Sequence, residues 1–258
     1  MNITDVHKAQ GHWLLAKMGK KVLRPGGREL TSKLIDALGI SGSDDIVEFA
    51  PGLGFTASLA LKKTPRSYVG IDADEDAVKF LQKRIKGSRV TIVQGTAAQT
   101  SLPGDNKDKV FGEAMLTMQA DHRKSEIIRE AHRILKKGGL YAIHELGLTP
   151  DTLDDNIKAE IQRNLAQTIK VNARPLTGHE WKNLLEKEGF SVLKVYTNPM
   201  RLLEFGRILE DEGFFRTLKI SCNILIHPAA RKRILDMQKI FRKYSGHMNG
   251  IVVIAQKV

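Results

Sequence analysis

The stretch IVEFAPGLGFTA, residues 46–57, predicts a buried strand that turns over two glycines into a helix. Its first five residues are mostly apolar, as in a strand that is covered on both faces of a sheet. Gly52 and Gly54 permit a tight turn and, having no Cβ, let a ligand approach the start of the helix. The stretch therefore predicts the first strand–turn–helix unit of a nucleotide-binding α/β fold.

Short apolar runs alternate with amphipathic helical patterns after this unit. Helices are predicted over residues 74–85 and 125–137, the second ended by Gly138-Gly139. Crossovers of this length join parallel strands, so the predicted fold is α/β, a doubly wound, seven-stranded, mostly parallel sheet. Its strands are predicted at residues 46–50, 67–73, 89–95, 109–116, 140–146, 190–197 and 250–258.

The chain divides into a predicted core and predicted helical additions. The core comprises residues 45–150, 174–199 and 249–258, and within it Thr177 and Glu180 are spaced as the capping box of a helix that ends near Lys187. The additions are an N-terminal helical segment over the ligand site, residues 1–44, and two insertions that cap the cleft, residues 151–173 and 200–248.

Composition predicts a cytoplasmic protein. Cys222 is the only cysteine, which excludes an intramolecular disulfide and a cysteine-rich zinc site, and no metal site is predicted. We expect neither a secretory leader nor a membrane span, because no apolar run is long enough for either. The net charge of +12 is concentrated at the two ends of the chain. A basic surface attracts nucleic acid, anionic lipid or acidic metabolites, although solvated helix faces explain the same charge.

Two carboxylates lie near the carboxyl ends of the first two predicted strands, at positions that suit a nucleotide-type ligand. Asp72 ends the second strand, 18 residues after Gly54, where a carboxylate can accept both hydroxyls of a ribose. Glu48 lies in the first strand, and a buried carboxylate is costly without a cation or donors. An ammonium or sulfonium group would meet that need, whereas the pyrophosphate of a dinucleotide would be repelled.

These residues, with GTAAQTSLP (95–103) and EAHRILKKGG (130–139), resemble the class I S-adenosylmethionine-dependent methyltransferases, in the branch that includes the quinone C-methyltransferases. The resemblance covers residues 45–146 and extends to 176–190. It implies a Rossmann-like methyltransferase fold with S-adenosylmethionine as cofactor.

The resemblance also implies which residues bind the cofactor. Glu48, Ala50, Gly52 and Gly54 would line its methionine part, Asp72 its ribose, and Thr96 and Ala97 its adenine. Ala73 and Glu113 are assigned to the same site. The family usually has glycine where this chain has Ala50, and aspartate where it has Thr96.

Candidate catalytic residues lie at the carboxyl end of the fifth strand. His144 and Glu145 are predicted as alternatives for a general base, since strand alternation turns only one of them toward the cleft. The histidines without motif context, His7 and His12 among them, are predicted to be surface or packing residues.

The predicted function is methyl transfer to a small-molecule acceptor. A nucleic-acid methyltransferase is the first alternative because of the basic ends, but GEAMLTMQAD (112–121) lacks the Asn/Asp-Pro-Pro-Tyr motif of enzymes that methylate base amino groups, and no nucleic-acid partner is predicted. An NAD-dependent oxidoreductase and a non-catalytic cofactor-binding protein are further alternatives. The sequence carries no signal for the oligomeric state.

Overall fold

A computed structural model describes residues 8–258 of the chain. Residues 1–7, which belong to the predicted N-terminal segment and include His7, lie outside the described residues. Ten helices of the described part are α1 (Gly11–Lys17), α2 (Gly27–Leu38), α3 (Phe55–Leu61), α4 (Glu75–Arg84), α5 (Asp121–Ile134), α6 (Asp155–Ile169), α7 (Gly178–Lys187), α8 (Phe205–Glu212), α9 (Phe214–Ile226) and α10 (Pro228–Lys243).

A single sheet runs through the described residues. Its strands are β1 (Asp45–Phe49), β2 (Ser67–Asp72), β3 (Val90–Gln94), β4 (Lys107–Glu113), β5 (Leu135–Leu148), β6 (Leu176–Thr177), β7 (Phe190–Pro199) and β8 (Met248–Lys257). The order is β3-β2-β1-β4-β5-β8-β7, and β8 is antiparallel to both of its neighbours. This confirms the predicted mostly parallel sheet of seven strands, to which the two-residue β6 adds a short pairing with β5.

Helices cover both faces of the sheet because successive strand residues point to opposite sides. In β1, Val47 packs in a cluster with Ile127 of α5 and Leu185 of α7. Its neighbour Ile46 packs on the other face with α2, α3 and α4, through residues such as Leu30. Both clusters are apolar, which explains why the central strands are hydrophobic throughout instead of alternating.

A third apolar cluster lies beyond the carboxyl end of β5. Leu146 and Leu148 of that strand pack with residues of α1, α6 and α10, among them Leu15, Leu165 and Met237. These three helices contact one another and form what we call the cap layer. Among the described residues, no helix is long and apolar enough to cross a membrane.

Of two local predictions, a capping box is confirmed and the bounds of a helix are wrong. The predicted capping box is confirmed, because the Thr177 side chain accepts from the Glu180 N–H and the Glu180 side chain accepts from the Thr177 N–H. The helix predicted over 125–137 instead spans Asp121–Ile134. It ends early because Leu135 already pairs with Lys107 of β4, before a register shift in that ladder.

Candidate active site

A cleft of about 530 Å³ opens at the carboxyl ends of β1 to β4. Helices leave β1 and β4 toward opposite faces of the sheet, so the cleft lies at the switch point where open α/β sheets bind ligands. Its volume is in the range of small-molecule sites. Seven predicted cofactor residues line it: Ala50, Gly52, Asp72, Ala73, Thr96, Ala97 and Glu113.

Asp72 is held with its carboxylate facing this cleft. Its two oxygens accept from the N–H groups of Gly52 and Asp74, at 2.9 and 3.0 Å. Burial raises the pKa of Asp72, and these backbone donors oppose the rise. A carboxylate oxygen accepts more than one hydrogen bond, which suits the paired hydroxyls of a ribose.

The turn after β1 leaves room for a ligand beside Asp72. Gly52 has a φ of +54°, and a Cβ built on it would meet only the Ala50 carbonyl oxygen, at 4.0 Å. The glycine thus keeps open a space that a side chain would fill. Together with Asp72, this cradle fits the S-adenosylmethionine that the resemblance implies.

The other two predicted residues of the first motif do not line the cleft. Gly54 caps α3 at a φ of +75°, and an added Cβ would lie 2.5 Å from Leu81 Cδ2, so this glycine serves the packing of α3 against α4. Glu48 is buried behind the cleft and accepts from the Tyr68 hydroxyl at 2.6 Å. Burial raises the pKa of Glu48 to about 8, which makes the carboxyl protonated at neutral pH.

Glu113 forms a buried ion pair with Arg24, which the N-terminal segment contributes. Arg24 Nη1 lies 3.0 Å from Glu113 Oε2, and the Thr31 and Thr56 hydroxyls donate to the same carboxylate. The pKa of Glu113 falls to about 2, because the Arg24 and His144 contacts outweigh the opposing effect of burial. The pair fixes the segment before α2 against the cleft, where Arg24 is part of the lining.

The predicted adenine end of the cleft carries a cation. Arg123 Nη2 donates to Thr96 Oγ1 at 2.7 Å, and both residues line the cleft. Thr96 stands where the family usually has aspartate, and its hydroxyl oxygen is already engaged by Arg123. Buried Ala97 supplies an apolar surface beside it.

His144 and Glu145 are both fully buried, and neither lines the cleft. His144 Nδ1 lies 2.7 Å from Glu113 Oε1, and its Nε2 lies 2.6 Å from the Pro25 carbonyl oxygen. Both ring nitrogens are therefore engaged within the protein.

The Glu145 carboxylate is likewise engaged in hydrogen bonds within the protein. It accepts from the N–H groups of Met115, Leu116 and Thr117 and from the Thr117 hydroxyl, at 2.7–3.0 Å. These bonds hold the short 3₁₀ turn Leu116–Met118 in place at the wall of the cleft. The placement of His144 and Glu145 gives no support to the prediction of a general base at either residue.

Three residues at the start of α1 line the cleft, although the sequence did not predict this. Gln10, His12 and Trp13 line the cleft, and the His12 and Trp13 rings lie 4.9 Å apart. Burial lowers the pKa of His12 to about 4, which leaves the ring neutral at pH 7. A seven-residue helix without a motif offers little in sequence to identify such a role. Within residues 8–258, no group of three or more potential metal ligands converges.

A second, smaller cavity adjoins the cleft beneath the cap layer. It has a volume of about 80 Å³ and shares five lining residues with the cleft: His12, Leu23, Ala114, Met118 and Val171. Its other lining residues are almost all aliphatic, aromatic or methionine side chains. They come from α1, α6, α10, the end of β5 and the segments that hold Pro25, Ala173, Met200 and Leu202. The Thr117 hydroxyl, which also lines it, donates to Glu145.

Comparison with known proteins gives the family. Residues 46–139 match the model described as "Methyltransferase domain". An uncharacterised protein of Haemophilus influenzae is 32% identical over 251 residues, 96% of this chain and 98% of that protein. An uncharacterised methyltransferase of Bacillus subtilis, YdaC, is 31% identical over 123 residues, 47% of this chain and 67% of that protein.

A solved structure agrees at the level of fold. It is that of Haemonchus contortus phosphoethanolamine N-methyltransferase 2 in complex with S-adenosyl-L-methionine, at a TM-score of 0.69 and 19% identity. The match covers 96% of this chain and 56% of that one. On its domain match, its 31% identity to the methyltransferase YdaC and its sheet order, this chain belongs to the class I S-adenosylmethionine-dependent methyltransferases.

Proposed function

We propose that the enzyme methylates a small molecule whose apolar part enters the cavity beneath the cap layer. The observation that carries this proposal is the junction of that cavity with the cofactor cleft, where His12, Ala114 and Met118 line both. A group seated there lies next to the cleft in which Asp72 and Gly52 would hold the cofactor. The predicted cap insertions, residues 151–173 and 200–248, supply much of the cavity wall.

The lining favours an acceptor that is apolar at this end. Leu165, Met237 and Phe241 contribute no hydrogen-bonding group, and the Thr117 hydroxyl is already engaged. The cavity has about half of the roughly 150 Å³ that holds a benzene ring, so it takes a few carbon atoms and the rest of the acceptor lies in the cleft. An apolar ring or chain, as in the acceptors of the quinone C-methyltransferase branch, matches this description. A flipped nucleobase needs hydrogen bonds to its polar edge, which this lining does not offer.

The protein's part in the reaction is alignment and exclusion of water. S-adenosylmethionine supplies an activated methyl group, so the residues of the site need to orient donor and acceptor in line. Trp13 and His12 close the cleft from the side of α1, and Arg24 holds the adjoining segment through Glu113. A neutral His12 at the junction is available to hydrogen-bond the acceptor without adding charge.

The test is transfer of label from S-adenosylmethionine that carries tritium in its methyl group. The full-length protein is incubated with a metabolite extract that contains lipids and, separately, with total RNA. We expect label in the solvent-extractable small-molecule fraction and none in acid-precipitable RNA, and we expect Asp72→Ala to lower transfer when S-adenosylmethionine is limiting. Label in RNA alone would contradict the proposal and favour the nucleic-acid alternative.

A further inference from the structure

Helix α9 has an apolar face that no described residue covers. The exposed fractions are 67% for Phe214, 86% for Phe215 and 70% for Ile226, and Leu218 and Leu225 are also more than half exposed. At 100° per residue all five fall within one third of the helix circumference, while the buried Thr217 and Ile220 point the other way. We call these five residues the apolar face. An apolar patch of this kind on a surface helix marks an interaction site.

A groove rich in cations adjoins this helix. It has a volume of about 860 Å³, and nine of its twenty described lining residues are Lys or Arg, against the single acid Asp76. We call it the basic groove. It is formed mainly by α1 and the segment after it, α3 and α4, and its cations include Lys21, Lys62, Lys83, Arg84 and Arg216.

The groove and the apolar face meet at Arg216. This residue follows Phe215 in α9, and its side chain lines the groove. The pKa of Lys21 is lowered by partial desolvation and by the positive charges of Arg216 and Arg84. The almost fully buried carboxylates of Asp211 and Glu212, at the end of α8, lie 3.8 and 3.7 Å from the buried Lys20 ammonium, and Glu212 also lies 3.7 Å from Arg216. The exposed Lys62, Lys83 and Arg84 therefore contribute most of the positive charge that the groove presents to solvent. The surface thus combines crowded cations with large exposed apolar side chains.

We propose that this combined surface docks the enzyme on an anionic lipid membrane. Lipid head groups would neutralise the cations of the basic groove, and the Phe214 and Phe215 rings would enter the boundary between head groups and acyl chains. The phosphates of a nucleic acid would also pair with the cations of the basic groove, but they would make no favourable contact with the five exposed apolar side chains of α9. A second copy of the chain would cover the apolar face, but a symmetric dimer formed through this face would bring two basic grooves close together, where their charges repel.

The test uses the full chain with vesicles of phosphatidylcholine, with and without phosphatidylglycerol, in a sedimentation assay. The face variant is Phe214→Ser with Phe215→Ser, and the groove variant is Lys62→Glu with Lys83→Glu. The control is Leu193→Ser with Lys194→Glu, which changes one exposed apolar and one basic residue on β7, at the opposite edge of the sheet from the groove. Melting temperatures close to that of the unmodified protein show that each variant is folded.

We expect the unmodified protein and the control to bind phosphatidylglycerol vesicles, with binding that weakens as salt is raised. Each test variant should lose about tenfold or more in vesicle affinity, because the apolar and electrostatic contributions act together. Absence of vesicle binding by the unmodified protein would overturn the proposal, as would equal binding by the control and both variants. If vesicles are not bound, two further results would identify another partner. RNA binding that is lost in the groove variant would indicate a nucleic acid, and a dimer that dissociates in the face variant would indicate a second copy of the chain.

Discussion

Replacement of Glu113 by glutamine should destabilise the protein through the buried Arg24–Glu113 pair. The substitution keeps the size of the side chain but removes its charge, which leaves the partly buried Arg24 guanidinium without its counter-ion. It also places an amide NH₂ among groups that donate to this position, the Thr31 hydroxyl and His144 Nδ1. Losing one partner of a buried pair costs about 3–5 kcal/mol.

The lowered pKa of Glu113 leads to a similar value for the loss of stability in this variant. A fall from 4.5 to about 2 corresponds to about 3 kcal/mol of stability, at about 1.4 kcal/mol per pH unit. Because this pKa is lowered in the folded state, the stabilisation is complete above pH 4.5 and is lost as the pH falls toward 2. The deficit of the variant should therefore be about 3 kcal/mol at pH 7 and shrink to about 2 kcal/mol at pH 3.5.

Urea unfolding followed by tryptophan fluorescence at these two pH values measures the deficit. Glu126→Gln is the matched control, because Glu126 pairs with Arg123 at the surface and exposed pairs contribute little. We expect the control to unfold at nearly the same urea concentration as the unmodified protein. A Glu113→Gln variant that did the same at pH 7 would refute the reasoning.

Replacement of two other carboxylates should have opposite kinds of effect, a gain in folding stability for Glu48 and a loss of ligand affinity for Asp72. Glu48→Gln should stabilise the protein by about 3 kcal/mol at pH 7, because the raised pKa of Glu48, about 8, means that stability is lost as the pH rises from 4.5 to 8. Urea unfolding at pH 5 and pH 7 checks this, and a gain that did not grow with pH would contradict it. Asp72→Ala should weaken S-adenosylhomocysteine binding by about 1.5–3 kcal/mol, the scale of hydrogen bonds to a charged acceptor. Calorimetry measures this affinity, and an unchanged value would place the ribose elsewhere.

The sheet and the side of it that binds ligand could be predicted from local sequence. Strands and helices alternate along the chain as they do in a parallel sheet, Gly52 follows β1 and Asp72 ends β2, and the carboxyl ends of both strands face the cleft. Both properties are set within a few residues of chain. Proximity at one sheet edge then follows from topology alone.

The contacts that tie the N-terminal segment to the core could not be predicted in this way. His144 bonds to the Pro25 carbonyl, 119 positions away, and Arg24 of the same segment reaches Glu113. Such pairs depend on how α1 and α2 cross the end of the sheet, which no local pattern specifies. For the same reason His12 looked like a packing residue, and His144 and Glu145 looked like candidates for catalysis although both are engaged within the protein.

The position of the acceptor is tested most directly by filling the cavity beneath the cap layer. Ala173 is buried in its wall, and Ala173→Leu adds three carbon atoms to a space of about 80 Å³. Ala229→Leu, at an exposed site on α10, is the control. Methyl transfer to the small-molecule fraction and S-adenosylhomocysteine affinity are measured on both variants. We expect Ala173→Leu to keep its affinity for S-adenosylhomocysteine and to lose most of its transfer activity, whereas transfer equal to that of the control would contradict the account.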